Sequence, residues 1–210
     1  MKNKILVIFL TLAFSLSFSN FARADEFTFE VTDMDVLENN TVYKGNNRGK
    51  VITDTQVELI SDNFLYLKKV NRLEAFGSVQ LTDMKSNIII NAEEMIYLKS
   101  EEIIYTLGKT LINVDGQYNI VGHDITLLKN EMILTSNKKA TITDNISNIY
   151  KLDKFQYSIN QEMLKGEKVT HINSKTSLKK DEYYFETGFF DLKESKFLGK
   201  NVNIKFHKTL

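Results

Sequence analysis

The chain has 210 residues, of which 42% are hydrophobic and 26% charged, with Lys+Arg and Asp+Glu balanced at 27 each. That composition belongs to one or two folded domains and excludes a disordered or collagen-like chain. Cysteine is missing, so neither a disulfide framework nor a thiolate metal site is available. Lysines are interspersed with acidic residues, which excludes the concentrated basic face that nucleic acid requires.

At the N-terminus Lys2 and Lys4 precede an apolar run from Ile5 to Phe14, then a Ser-studded stretch and "ARAD" at 22–25. This is the pattern of a secretory signal peptide over residues 1–24, with cleavage before Asp25 and one domain over 25–210. The apolar run is shorter than the ~20 residues of a membrane-spanning helix. Cleavage removes Lys2, Lys4 and Arg23, leaving 24 basic against 27 acidic side chains, a net charge near −3.

From Phe27 onward one style of sequence persists. Short runs rich in Ile, Val, Thr, Tyr and Phe alternate with polar residues at period two and are broken by Asn, Asp, Gly and Ser, the strand-and-turn signature. In chain order they are "FTFEV" (27–31), "VELISDNFLYL" (57–67), "IIINAEEMIYL" (88–98), "KTLINV" (109–114), "QYNIVGHDITLL" (117–128), "KATIT" (139–143), "KVTHI" (168–172) and "NVNIKF" (201–206). No long helix is expected. Asp115-Gly116 supplies two residues that tolerate positive φ, which predicts a type I′ hairpin turn. Further turns are expected near 37–40, 43–49 and 143–148. Proline is absent, so every backbone N–H is free to join a ladder.

The runs repeat. Tyr66 to Tyr97, Leu73 to Ile104, Gly77 to Gly108 and Leu81 to Ile112 all step by 31 residues. Later units at 123–142, 153–172 and 189–204 keep the cadence, with Gly166 and Gly199 at the same station. Each unit reads as two strands joined by a turn, the first ending near the Tyr and the second centred on the Gly, a repeat architecture. Within the second strand Leu73, Ala75, Val79 and Leu81 face one way, and Glu74, Ser78 and Gln80 the other. The glycine on the apolar side predicts a bend or a close backbone approach. Such units cannot bury their apolar face singly and stack on their neighbours. The expected fold is all-β: stacked antiparallel strands from ~31-residue repeats, forming a sandwich, jelly roll or open solenoid.

Chemistry-bearing motifs are sparse. His123, His171 and His207 lie in separate units with no partner at metal spacing, and read as surface or strand histidines. "LGKT" (107–110) lacks the first glycine of a phosphate loop, since position 103 is Ile. "DMD" (33–35) and "EE" (93–94, 101–102) read as solvated acidic faces. Neither catalytic residues, nor a metal, nor a cofactor is expected, and the chain is read as not an enzyme.

Three segments carry a resemblance: "EFTFEVTDMDVLENNTVYKGNNRGKVIT" (26–53), "SDNFLYLKKVNRLEAFGSVQLTD" (61–83) and "AEEMIYLKSEEIIYTLGKTLI" (92–112). The cadence resembles the OstA-like periplasmic domains of lipopolysaccharide-assembly proteins, found at the N-terminus of LptD and shared with LptA and LptC. Full LptD proteins continue into an outer-membrane barrel, so the likeness is to their front part alone, and cysteines present in many members are missing here. The resemblance implies a β-jellyroll that shields the acyl chains of lipopolysaccharide on the way to the outer membrane, without catalysis. By repeat phase the expected lipid groove comprises Val79, Leu81, Ile88, Ile90, Ile96, Ile104, Ile112 and Val114. Phe27, Phe29 and Val31 at one end, and Val202, Ile204 and Phe206 at the other, are expected edge strands for augmentation by an LptA-like bridge protein. An LptD barrel and an LptE-like lipoprotein are implied if the chain is the front of an LptD. Two other readings stay open: a stand-alone LptA-like bridge, and a structural β-repeat protein with a sealed core.

Overall fold

The structure, a computed structural model, describes residues 27–173 and 181–206. The expected signal peptide, the start at Asp25 and His207 lie outside the described residues. Among the described residues the regular structure is nineteen strands and one short 3-10 turn at Lys68–Val70. Antiparallel pairing joins them throughout, in agreement with the period-two alternation.

The strands fall into twelve passes of the chain. The first three passes are β1 (Phe27–Glu30) with β2 (Asp33–Leu37), β3 (Val42–Asn46) with β4 (Gly49–Thr53), and β5 (Val57–Ser61) with β6 (Asn63–Leu67). Three unbroken strands follow: β7 (Arg72–Asp83), β8 (Ile88–Leu98) and β9 (Ile103–Val114). Next come β10 (Tyr118–His123) with β11 (Thr126–Leu128), β12 (Ile133–Ser136) with β13 (Ala140–Asp144), and β14 (Ile149–Leu152) with β15 (Lys154–Ser158). The unbroken β16 (Met163–Ile172) and β17 (Glu182–Asp191) precede the last pass, β18 (Lys196–Lys200) with β19 (Asn203–Lys205).

Each pass changes direction in its middle, so its two halves join different ladders. One layer runs from β1 through β4, β5, the end of β7, the start of β8, the end of β9, β10, β13, β14, the end of β16 and the start of β17 to β19. The other runs from β2 through β3, β6 and the remaining halves of the long strands, with β11, β12 and β15 between them, to β18. This is a jellyroll built as an out-and-back stack. The 31-residue repeat is therefore two passes, and twelve passes at the usual strand spacing make a stack about 50 Å long.

The two layers meet along a seam of bends. Register shifts fall between Phe76 and Val79 and between Ala92 and Glu94. Gly77 and Gly108 take φ of +75° and +76° at the seam, a conformation that costs L-residues about 1–2 kcal/mol. Their neighbours repeat too: the Asp62 N–H donates to the Gly77 carbonyl at 3.0 Å and the Asp124 N–H to that of Gly108 at 3.0 Å. Gly166 and Gly199 were expected at this station and are not bends. They precede left-handed bends at Lys168 and Asn201 by two residues, and their missing side chains admit Leu152 and Phe185.

Turns fall where expected near 37–40 and 143–148, whereas residues 43–46, expected in a turn at 43–49, belong to β3 and only Asn47 and Arg48 turn the chain. Asp115 and Gly116 both have positive φ, and the Gln117 N–H closes the turn on the Val114 carbonyl at 3.0 Å. Because Val114 pairs with Tyr118, Gln117 is one loop residue more than a two-residue hairpin contains.

Candidate functional site: an apolar lane with a charged mouth

Cross-strand pairing aligns one residue from every pass into a file, buried through the middle and exposed at the end members Val36, Phe197 and Ile204. In the first layer the file is Phe29, Val51, Leu59, Leu81, Ile90, Ile112, Ile120, Ile142, Tyr150, His171, Tyr183 and Ile204, each opposite the next. The second layer contributes Val36, Tyr43, Tyr66, Leu73, Tyr97, Ile104, Leu127, Leu134, Tyr157, Leu164, Phe190 and Phe197. Between the files lies a continuous apolar lane. Each large side chain buried there contributes about 1.5–3 kcal/mol.

The lane is graded. Its N-terminal end is aromatic, with Phe27 edge-on to Tyr66 at 4.9 Å and Phe29 stacked on Tyr43 at 6.3 Å. The C-terminal end is aromatic again, where Tyr150, Tyr183, Phe190 and Phe197 surround His171. Between Leu81 and Ile142 the walls are mainly aliphatic. His171 is the one file member that is not Val, Ile, Leu, Phe or Tyr. It is 6% exposed, stacked on Tyr150 at 4.5 Å, and its Nδ1 has no partner. Burial lowers its pKa below the ordinary histidine value, against a backbone hydrogen bond at Ile149 that raises it. His123, by contrast, is exposed.

Of the eight residues expected in the groove, Val79, Leu81, Ile88, Ile90, Ile104, Ile112 and Val114 face the lane at 0–3% exposure. Ile96 does not. At the seam β7 and β9 each carry two residues, Gly77-Ser78 and Gly108-Lys109, against the single Glu93 of β8. Strand β8 thus crosses one residue short of its neighbours and its phase reverses, so Met95 and Tyr97 point inward and Ile96 lies half-buried on the other face.

Opposite the seam, the turns of the two layers form the lips of a mouth. In the second layer the first turn has three left-handed residues, Glu38, Asn39 and Asn40, and the later turns one each, namely Asn71, Glu102, Met132, Glu162 and Ser195. Side chains reach across. Lys99 pairs with Asp54 at 3.1 Å, Lys129 with Asp83 at 3.1 Å, and the Tyr118 hydroxyl donates to Glu162 at 2.8 Å. Glu102 gathers Lys99, Lys129 at 3.7 Å and the Tyr97 hydroxyl at 2.6 Å. Burial works against the Lys99 charge, but hydrogen bonds to Glu102 and Asp54 outweigh it and raise its pKa. Burial, reinforced by Glu102, likewise raises that of Tyr97. Between these contacts two clefts open into the mouth. One of about 570 Å³ lies between Thr55, Lys85, Lys129 and Met132, and one of about 290 Å³ between Asn87, Val114, Tyr118 and Tyr157.

With this geometry a likeness to a solved structure emerges. The crystal structure of LptH from Pseudomonas aeruginosa, the LptA homologous periplasmic component of a lipopolysaccharide transport device, matches with a TM-score of 0.51 at 14% identity. The match takes in 60% of this chain and 99% of LptH. The two share one fold. No family profile and no curated protein matches the chain.

The LptH-like stack ends in two dissimilar passes. At the first, Phe27 is buried and Phe29 and Val31 pack partly against the core, while β1 bonds to β4. At the last, Val202, Ile204 and Phe206 are 42–65% exposed, and β18 and β19 bond to β17. The charged mouth is what sequence reasoning missed. Glu102 belongs to the pair read as a solvated face, yet its side chain is only 17% exposed. A signal existed in the repeat, because Lys99 and Lys129 recur in successive turns of one lip and Asp54 and Asp83 recur along the other.

Proposed function

We propose that the chain is a non-enzymatic carrier of lipopolysaccharide in the periplasm, delivering it toward the outer membrane with its acyl chains shielded between the two files. The observation that supports this most is the lane itself: two files spanning every pass, apolar apart from His171, aliphatic in the middle and, among the described residues, free of catalytic groupings. Shielding matters because each CH₂ kept from water is worth about 0.8 kcal/mol, so even partial cover of several acyl chains offsets a prohibitive transfer cost. The fold shared with LptH agrees with that role. Within it, Val79, Leu81, Ile88, Ile90, Ile104, Ile112 and Val114 are the groove residues.

In this reading the chain acts either as the periplasmic front of an LptD, with its barrel and an LptE-like lipoprotein as partners, or as a stand-alone LptA-like bridge. The edge β1 receives a bridge protein by strand addition, and the exposed last pass offers a second edge. Loss of the complex is expected on Thr28→Pro, measured by pull-down with an LptA-like protein; an undiminished complex contradicts this docking edge.

The carrier reading is tested by purifying the secreted protein from envelopes and identifying bound lipid by mass spectrometry. Stoichiometric lipopolysaccharide supports it. A lipid-free protein that also takes up none when incubated with lipopolysaccharide favours a structural repeat protein. That second reading has its own support, since the lane is filled by its own side chains at 0–3% exposure.

A further inference from the structure

The mouth contacts recur with the repeat. Asp54–Lys99, Asp83–Lys129 and Tyr118–Glu162 join the lips at separations of 45, 46 and 44 residues, one contact for each out-and-back unit. Within a lip the turns are tied by backbone bonds: Lys99 N–H to the Asn71 carbonyl, Lys129 to Glu102 and Ile159 to Met132 on one side, and Asp115 to Asn87 on the other. Across the mouth the ties are made by side chains. Each lip is therefore a stiff rail, and the rails are held together by a few polar contacts opposite a seam of continuous strands.

Backbone conformation repeats along the rail as well. Glu102 and Glu162 have φ of 53° and 51°. This region suits Asn or Gly far better than Glu. The equivalent turn in the preceding unit uses Asn71. Met132 and Ser195 hold the same conformation in other turns of this lip, and Asn71 accepts from the Tyr66 hydroxyl at 3.1 Å as Glu102 does from Tyr97 at 2.6 Å, so the left-handed residue is a repeated feature of the rail.

We propose that this row of contacts is a latch: it holds the lips of the lane together, and its release lets the two layers swing apart about the seam. The latch rests on these contacts alone; its use as the entry gate for acyl chains rests on the carrier reading above. Opening exposes the aliphatic middle of the lane first, because the three contacts span that middle and the aromatic clusters lie at its ends.

The test measures the mouth directly. Nitroxide labels at Lys85→Cys and Glu131→Cys, one exposed position on each lip, report their separation by pulsed electron spin resonance. The otherwise unaltered protein is expected to give one narrow distance, and the double variant Lys99→Met/Glu162→Gly a longer, broader one. Lys99→Met cuts the contact to Asp54, and Glu162→Gly cuts the contact to Tyr118 with a residue that suits the left-handed backbone, and circular dichroism will verify that the variant is folded. A second variant, Lys129→Met, opens the central contact to Asp83. An unchanged narrow distance in both folded variants overturns the latch and assigns closure to packing of the files. Lipopolysaccharide uptake is then compared between the double variant and a protein whose two cysteines are bridged by a short bis-maleimide. Faster uptake in the first and at least tenfold slower uptake in the second support the gate; equal uptake in the two overturns it. Lips that open while neither protein takes up lipid support the latch and count against the carrier reading alone.

Discussion

The seam and the mouth close the same lane in different ways. At the seam, β7, β8, β9, β16 and β17 carry the backbone from one layer to the other. At the mouth, Lys99, Lys129 and Tyr118 bridge the layers through their side chains. The difference makes the seam a hinge and the mouth the side that can part without loss of ladder hydrogen bonds. Lane packing, seam geometry and mouth charge should therefore respond differently to substitution, and that comparison orders the predictions.

The largest effect belongs to the lane. Ile90→Ala removes packing from a file position 1% exposed, and a loss of about 2–5 kcal/mol is expected in chemical denaturation. Ile96→Ala, six residues along the same strand but out of phase, should lose less than about 1 kcal/mol, because its side chain is only half-buried. Equal losses at the two sites break the assigned phase of β8.

Next comes the seam, where two glycines of the same repeat station have unlike neighbours. A Cβ on Gly77 meets the Asp62 carboxylate at 2.7 Å, whereas one on Gly108 meets nothing within 4 Å. Both substitutions bear the left-handed backbone cost. Gly108→Ala is expected to lose about 1–2 kcal/mol, and Gly77→Ala to lose more, read from the same denaturation curves. A Gly108 variant as damaged as the Gly77 one contradicts the role of the Asp62 contact.

The C-terminal end of the lane carries the pH dependence. His171 is held below its ordinary pKa, so at neutral pH it is uncharged whether folded or unfolded. As pH falls below about 6.5 the unfolded chain takes up the proton first, and stability is lost until the pH passes below the folded value. His171→Leu, which returns the file to hydrocarbon, should remove this part of the pH dependence of the melting temperature. An unaltered profile assigns it elsewhere.

Much of this was legible before the structure. Period two gave the strands, and the 31-residue step gave the pairing of passes, because a residue and its copy one repeat later occupy equivalent places in every second pass. Phase within a strand was legible wherever the alternation is unbroken, as from Ile88 to Ile90 and from Ile104 to Val114. It failed at Ile96 because β8 crosses the seam on Glu93 alone, one residue fewer than β7 and β9 use, and that difference leaves no mark in composition. It also failed at Gly166 and Gly199, where glycine makes room for a neighbouring side chain instead of turning the backbone. The mouth was hidden for a further reason: partners some 45 residues apart lie on different lips, and only the folded stack brings their charges together.

The most direct test of the carrier account places a photoreactive residue at Ile90 in one variant and at Asn91 in another, and irradiates each folded protein with lipopolysaccharide. Ile90 lies in the file and Asn91 is its half-buried neighbour on the opposite face. Adducts at Ile90 and not at Asn91 are the predicted result. No adduct at either position, in protein shown to be folded, contradicts the lipid lane.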